Sequence, residues 1–352
     1  DKFNELELKK ILTSGDYPAR NPEQNIADLK GQIAANNKGL QELDRITKHY
    51  GIETVSAYMK HVQDNAEESV RRVIHKLNDA EFDYPLDNGA HIRGTISIDQ
   101  NKRSATIDFK GTSPELDNNF NAPLAICHAA VLYVFRCLVD DDIPLNQGCL
   151  KPVNIIVPEK CFLNPSYPRA VVAGNVETSQ AIVNALFLAL GAMAASQGTM
   201  NNFTFGNDEF QYYETIAGGM GATGRNNGAS AIQTHMTNSR LTDPEILEWR
   251  YPVILKKFKI RENSGGKGKF NGGNGIERRI EFLQDMKAAI LSNNRNIAPM
   301  GLNGGGDAAR GENWIQRANG EIETLAGCAE TDVRKGDIFI IKTPGGGGYG
   351  IP

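Results

Sequence analysis

Along the first part of the chain, apolar positions recur every three or four residues. Ile26, Leu29 and Ile33, then Leu40, Leu43 and Ile46, then Val55, Tyr58, Met59 and Val62 keep that spacing, which predicts helices across residues 22–78 with Gly39 and Gly51 as punctuation. His49, His61 and His75 fall among Lys, Glu and Asp on these helices and read as solvated surface. At Ile92 the period drops to two: Ile92, Gly94, Ile96 and Ile98 alternate with polar residues, as do Ala105, Ile107 and Phe109 after a turn at residues 100–102, which predicts a β-hairpin. Residues 122–139 return to a helix apolar on nearly all sides, which only a core accepts, with His128 inside it.

Val153–Val157 and Ala170–Ala173 read as short strands stopped by Pro or Gly. A second buried helix follows, ending at Leu190 with Gly191 beyond its last turn; its apolar stretch, Ala181 to Ala195, is interrupted by Asn184. At fifteen residues it is too short to span a bilayer, which takes about 20. From Pro252 onward short strands dominate, at Val253–Ile260, Ile276–Phe282, Ala288–Leu291 and Asp337–Lys342, separated by glycine-rich turns. The expected architecture is therefore α+β: a helical arm over 1–80, a mixed α/β core over 81–250 and a separate β-rich lobe over 251–352.

Composition sharpens this picture at three points. Of 36 glycines only nine precede residue 191, so glycine excess belongs to the turn-rich second half and not to a linker or collagen repeat. The net charge of −4, without any Lys/Arg block, argues against a nucleic-acid partner. Five cysteines (Cys127, Cys137, Cys149, Cys161, Cys328) lack any CxxC spacing, and buried free thiols are expected. The charged start of the chain resembles no signal peptide, so a cytoplasmic location and no membrane partner are expected.

Most short motifs fail on context. Gly219, Gly221 and Gly224, and again Gly345, Gly347 and Gly350, match GxGxxG, yet neither set opens a helix that could meet a pyrophosphate. Ser196 lies in a sequence close to a nucleophile elbow but follows a helix instead of a strand. Ser264 and Lys267 match SxxK in a glycine turn, and no histidine pair has metal-ligand spacing.

More survives over residues 174–240. Thr178 and Ser179 are placed to cap the second buried helix, whose N-terminus would favour an anion or oxyanion, with Glu177 beside it. Asn201, Asn202, Thr204 and Asn207 crowd together and suit the wall of a pocket for a polar planar ligand. His235, in ThrHisMetThrAsn (234–238), is the histidine best suited to moving a proton near neutral pH. The helix after it opens on a capping box at Thr242–Glu245. Gly198, Gly206, Gly218, Gly219 and Gly221 sit where missing side chains would let backbone approach a ligand.

These segments, taken together, resemble the hydantoinase B/5-oxoprolinase family. The likeness rests on GlyAsnValGluThrSerGln (174–180), AlaSerGlnGlyThrMetAsnAsn (195–202), TyrTyrGluThrIleAlaGlyGly (212–219), ThrHisMetThrAsnSerArg (234–240) with ThrAspProGluIleLeuGlu (242–248), and the terminal ThrProGlyGlyGlyGlyTyrGly (343–350). AsnAsnPheAsnAlaProLeuAla (118–125) and AspIleProLeuAsnGlnGlyCys (142–149) extend it over almost the whole chain.

The resemblance implies part of an ATP-dependent cyclic amidohydrolase that opens 5-oxoproline, hydantoin or a related lactam. ATP and Mg2+ would sit on an actin-like hydantoinase A-type partner subunit or upstream domain, and the assembly would be oligomeric. Family chains begin with a further segment bearing a His/Asp-rich stretch similar to a metal-binding part; this sequence has no counterpart, so no metal ligand is assigned here and any divalent metal would belong to that segment. Glu177, Glu214 and His235 are then the candidates for orienting water or moving a proton. Asn175, Thr178, Ser179, Asn201, Asn202, Thr237 and Asn238 are the candidates for holding the ring. Two rival readings remain, an acetone-carboxylase-type subunit and a non-catalytic assembly domain.

Overall fold

A computed structural model describes residues 3–15, 18, 19 and 21–352. Residues 1, 2, 16, 17 and 20, within the expected helical arm, lie outside the described residues. The chain divides into two compact units, Asp1–Asn65 and Ala66–Pro352.

The first unit holds helix α1 (Glu5–Leu12), which the hydrophobic pattern did not announce, helix α2 (Pro22–Tyr50) and the start of helix α3 (Ile52–Ile74). Asn21 caps α2 by accepting from the Gln24 N–H at 3.2 Å, and Pro22 suits the first helical position, where its missing N–H costs nothing. Gly51, at φ +81°, ends α2. Gly39 does not interrupt it, because its open surroundings let the helix pass. Ile26 is buried, while Leu40, Leu43, Tyr58, Met59 and Val62 are exposed. His49, His61 and His75 are exposed, His75 in the turn after α3.

The second unit opens with a mixed sheet of strands β1 (Ala80–Pro85), β2 (His91–Asp99), β3 (Ser104–Asp108) and β4 (Val153–Ile156) in that order. β1, β2 and β3 are antiparallel neighbours and β4 adds parallel to β3. The alternation foreseen at residues 92–109 buries Ile92, Ile96, Ala105, Ile107 and Phe109. Helix α4 (Leu124–Leu138) and helix α5 (Thr178–Ala189) complete this core, with α5 packed against both α4 and β1. His128 is half-buried on α4. Residues 170–173 are not a strand: Val172–Gly174 forms a 3-10 turn, from which the backbone runs straight into α5 through the Glu177 N–H bond to the Ala173 carbonyl.

Strands β5 (Asn202–Gly206) and β6 (Gln211–Glu214), helix α6 (Pro244–Arg250), and strands β7 (Val253–Ile260), β8 (Ile276–Phe282), β9 (Met286–Leu291), β10 (Glu312–Gln316), β11 (Ile322–Leu325), β12 (Cys328–Val333) and β13 (Ile338–Lys342) follow. They build two antiparallel sheets, ordered β11-β10-β13-β8-β7 and β12-β9-β5-β6. The sheets face each other through Phe203 and Phe339, whose rings lie 4.7 Å apart, and through Phe205 and Phe282, 5.5 Å apart. β5 pairs with β9, so strands from both sides of residue 251 share one sheet. The α+β class holds, with its sheets woven across that point.

The glycines of residues 218–228, 265–275, 301–306 and 345–348 form one layer of backbone on backbone. The Gly346 N–H bonds the Gly273 carbonyl, the Gly347 N–H bonds Ala195, the Ala222 N–H bonds Gly347, and the Gly273 N–H bonds Met220. A Cβ on Gly346 would lie 2.1 Å from the Met220 oxygen, and one on Gly219 would lie 2.1 Å from the Gly273 oxygen. The close approach expected at Gly219 and Gly221 is thus made by the protein's own backbone. In the two GxGxxG segments, backbone fills the space beside Gly219, Gly221, Gly345 and Gly347, while Gly224 meets the Tyr349 ring and Gly350 the Lys269 side chain.

Candidate functional site

Helix α5 organises the polar interior. Glu177, Gln180 and Asn184 fall at i, i+3 and i+7, so they share one stripe of a helix whose remaining positions, such as Ile182, Val183 and Leu186, are apolar and buried. Three amide or carboxyl groups in such a helix must find partners, because an unpaired buried polar group costs about 1–3 kcal/mol. The segment 196–202, the loop at Thr234 and His235, and Tyr84 on β1 supply them.

At the start of the stripe, Glu177 is fully buried. Its Oε1 accepts from the Met200 N–H at 3.0 Å and from Asn202 Nδ2 at 2.7 Å, while Oε2 has no partner among the described residues. Burial pushes its pKa up to about 8, against the opposing pull of Thr199, the Met200 N–H, the Arg295 charge and Asn202. A pKa of about 8 favours the neutral acid at pH 7, and Oε2 is the oxygen that accepts from no neighbour among the described residues. Burial pulls Arg295 down to about 10, which leaves it charged beside Glu177.

Further along the stripe, Asn184 Oδ1 accepts from the Ser196 N–H at 3.0 Å and its Nδ2 donates to the Ser196 carbonyl and the Tyr84 hydroxyl, each at 3.2 Å. Ser196 Oγ lies 3.0 Å from His235 Nε2, and His235 Nδ1 lies 3.0 Å from the Tyr133 hydroxyl. Gln180 Nε2 donates to the His235 carbonyl, fixing the loop that carries the ring. Burial lowers the His235 pKa to about 4, so the imidazole is neutral, with one nitrogen donating and the other accepting between two hydroxyls. Met236, at φ +60°, follows it in a conformation that non-glycine residues rarely take.

The other expected residues fall in several settings. Thr178 and Ser179 do not cap α5: Glu177 occupies the cap position, so both hydroxyls lie inside the first turn and donate to the Phe120 and Asn175 carbonyls. Asn201 donates to Gln197 Oε1 and the Ile216 carbonyl, bracing the loop at φ +45°. Asn202 joins Glu177 and also accepts from the Tyr213 hydroxyl at 2.7 Å. Asn175 and Asn238 are exposed, and half-buried Thr237 bonds Ser239. Glu214 is committed elsewhere: both its oxygens bind the Arg278 guanidinium, at 2.7 and 2.9 Å, and Tyr212 adds a hydroxyl.

Gln180, Tyr133 and Arg295 are site neighbours that sequence reasoning passed over, and Ser196 was weighed only as a nucleophile. Asn184 was the available signal, because a polar residue inside an apolar helix demands partners. All five cysteines are free, but only Cys127, Cys149 and Cys161 are buried as expected; Cys137 and Cys328 are exposed. Among the described residues no three His, Cys, Asp or Glu side chains gather to hold a metal ion, and no helix is long and apolar enough to cross a membrane.

The sequence pattern of the Hydantoinase B/oxoprolinase family matches residues 3–352. The chain belongs to that family. It is 46% identical over 341 residues to the 5-oxoprolinase of Dictyostelium discoideum, covering 94% of this chain and 27% of that protein. The family chain thus spans little more than a quarter of that relative's length. Among solved structures it resembles the ATP-dependent caprolactamase of Pseudomonas jessenii, with a TM-score of 0.85 at 21% identity, over 99% of this chain and 64% of that one. It also resembles acetone carboxylase in its nucleotide-free form, with a TM-score of 0.77 at 17% identity, over 88% and 50% of the two chains. Both likenesses concern the fold.

Proposed function

We propose that this chain is the ring-opening part of an ATP-dependent cyclic amidohydrolase of the 5-oxoprolinase or hydantoinase type, with Glu177 as its proton donor. The glycine segments here do not fit ATP, because neighbouring backbone and side chains fill them. ATP and Mg2+ are assigned to a hydantoinase A-type partner region, and any divalent metal to a part of the enzyme outside this chain.

The observation that carries this reading is the Glu177 carboxyl, neutral at pH 7 with Oε2 unpaired. Opening a lactam breaks a C–N bond, and the departing nitrogen needs a proton to leave as an amine. The proton on Oε2 passes to the ring nitrogen as that bond breaks. The carboxylate left behind sits beside Arg295, whose charge stabilises it. The water that adds its hydroxyl to the ring carbonyl carbon, replacing the C–N bond, gives up the proton that restores the Glu177 acid. Asn202 and the Met200 N–H hold the other oxygen, so the acid is oriented before the ring arrives.

A second reading, an assembly domain whose chemistry lies elsewhere in the enzyme, is favoured by the burial of Glu177, Ser196 and His235. Turnover of 5-oxoproline by the full-length enzyme carrying Glu177→Gln separates the two. Gln keeps the shape but has no acidic proton, so the ring-opening reading expects a kcat loss on the order of 100-fold or more. Unchanged turnover would establish the assembly reading.

A further inference from the structure

A cavity of about 500 Å³ lies at the mouth of the C-terminal sheets, lined by Arg261, Arg295, Arg310 and Glu312 with Ala308 and Ala309 between them. Three guanidinium groups share it with one carboxylate. Glu312 is already engaged on both oxygens, by Arg261 Nη2 at 2.7 Å and Lys342 Nζ at 3.6 Å.

The other two arginines make hydrogen bonds only to neutral groups. Arg295 binds the Asn293 carbonyl through Nη1 at 2.9 Å and Asn313 Oδ1 through Nη2 at 3.0 Å; Arg310 binds the Asn296 carbonyl at 3.0 Å. Asp87, in the turn between β1 and β2, faces Arg295, and its oxygens take the backbone N–H groups of Arg295, Asn296 and Ile297. The charges of Glu177 and Asp87 favour the Arg295 cation, and that of Arg261 opposes it less strongly. The Arg295 and Arg310 guanidinium groups thus keep hydrogen-bonding capacity without a directly paired carboxylate, and guanidinium forks match the planar or tetrahedral oxygens of a carboxylate or phosphate.

Gly311 makes this arrangement possible. A Cβ there would lie 2.5 Å from both Cζ and Nη1 of Arg295, so the guanidinium rests directly on the glycine backbone.

We infer that this cavity is a subsite for a small oxyanion, a carboxylate or a phosphate, gripped by Arg295 and Arg310 against the floor at Gly311. The subsite stands on its own geometry; only its use by a ring substrate rests on the ring-opening reading. Arg295, whose charge also acts on buried Glu177, would then couple an anion in the cavity to that carboxyl.

The test is calorimetric titration of inorganic phosphate into the full-length enzyme, native and with Arg310→Gln or Gly311→Ala. Saturable binding that weakens fivefold or more in both variants, with the melting temperature of Arg310→Gln unchanged because that side chain is exposed, supports the subsite. Competition by 5-oxoprolinate but not by uncharged 2-pyrrolidinone assigns it to the carboxylate of the ring substrate; phosphate binding without that competition assigns it to phosphate alone. Absence of saturable phosphate binding, or equal affinity in native enzyme and Arg310→Gln, would overturn it, whatever the effect of Glu177→Gln on turnover.

Discussion

Asn202 and Glu177, twenty-five residues apart, meet at 2.7 Å, where the amide donates to Oε1 while Oε2 has no partner among the described residues. Asn202 favours the ionised form of Glu177 and so lowers its pKa. Replacing it by Ala removes that donor and also strips partners from the Leu291 carbonyl and the Tyr213 hydroxyl. Asn202→Ala is expected to move the Glu177 midpoint above its native value of about 8 and to cost about 1–3 kcal/mol of stability. A titration of the carboxyl together with a denaturant melt checks both; an unmoved midpoint would contradict the assigned contact.

Glu177 and His235 give the stability of the protein opposite dependences on pH. The folded pKa of Glu177 is raised from 4.5 to about 8, so its contribution is full below 4.5 and is lost as pH rises through 8. His235 is lowered from 6.5 to about 4, so its contribution is full above 6.5 and is lost as pH falls through 4. Each slope is at most about 1.4 kcal/mol per pH unit. The two oppose each other between 4.5 and 6.5, and above 6.5 only Glu177 acts. Glu177→Gln is therefore expected to flatten the fall in melting temperature between pH 6.5 and 8, and to steepen the loss on acidification by leaving His235 unopposed. Parallel curves for native and variant would refute the assignment.

Glu214 serves the fold. It lies on β6 and its guanidinium partner Arg278 on β8, so a buried bidentate pair ties one C-terminal sheet to the other. Removing only one partner strands a charge in the core at a cost of about 3–5 kcal/mol, whereas replacing both by apolar residues of similar size is often neutral. Glu214→Gln should lower stability strongly, and Glu214→Leu combined with Arg278→Met should recover most of the loss. Urea midpoints of the single and double variants decide the matter; a single variant as stable as the native protein would show the pair to be dispensable.

Much of the fold was legible because its signals are local. The period-two pattern at Ile92–Ile98 and the apolar runs of α4 and α5 are set by which face must be buried, and β7 and β8 kept their expected limits. The β5–β9 pairing was not legible, since strand partners are chosen by contacts between distant segments. The site was legible in part for the same reason. Glu177 and His235 stood out by residue type, but what each touches depends on Asn202, Ser196 and Tyr133, brought in by the fold. Thr178 and Ser179 misled because the helix starts one residue earlier than a capping role requires. Glu214 misled because Arg278, its partner, lies in a different strand of the other sheet.

Glycine positions should separate into two classes. Gly346→Ala would drive a Cβ to 2.1 Å from the Met220 oxygen, where only backbone movement relieves the clash, so marked destabilisation is expected. Gly39, inside α2 with open space around it, should respond in the opposite way: Gly39→Ala stabilises by about 0.5–1 kcal/mol through helix propensity. Thermal melts of the two variants check the contrast, and a tolerated Gly346→Ala would undo the account of the glycine layer.

The most direct measurement is an infrared titration of the Glu177 carboxyl in the full-length protein, taken as the difference between native and Glu177→Gln spectra. The account expects a protonated carbonyl band at pH 7 that disappears with a midpoint near 8. A band already absent at pH 7, with a midpoint near the ordinary 4.5, would contradict it.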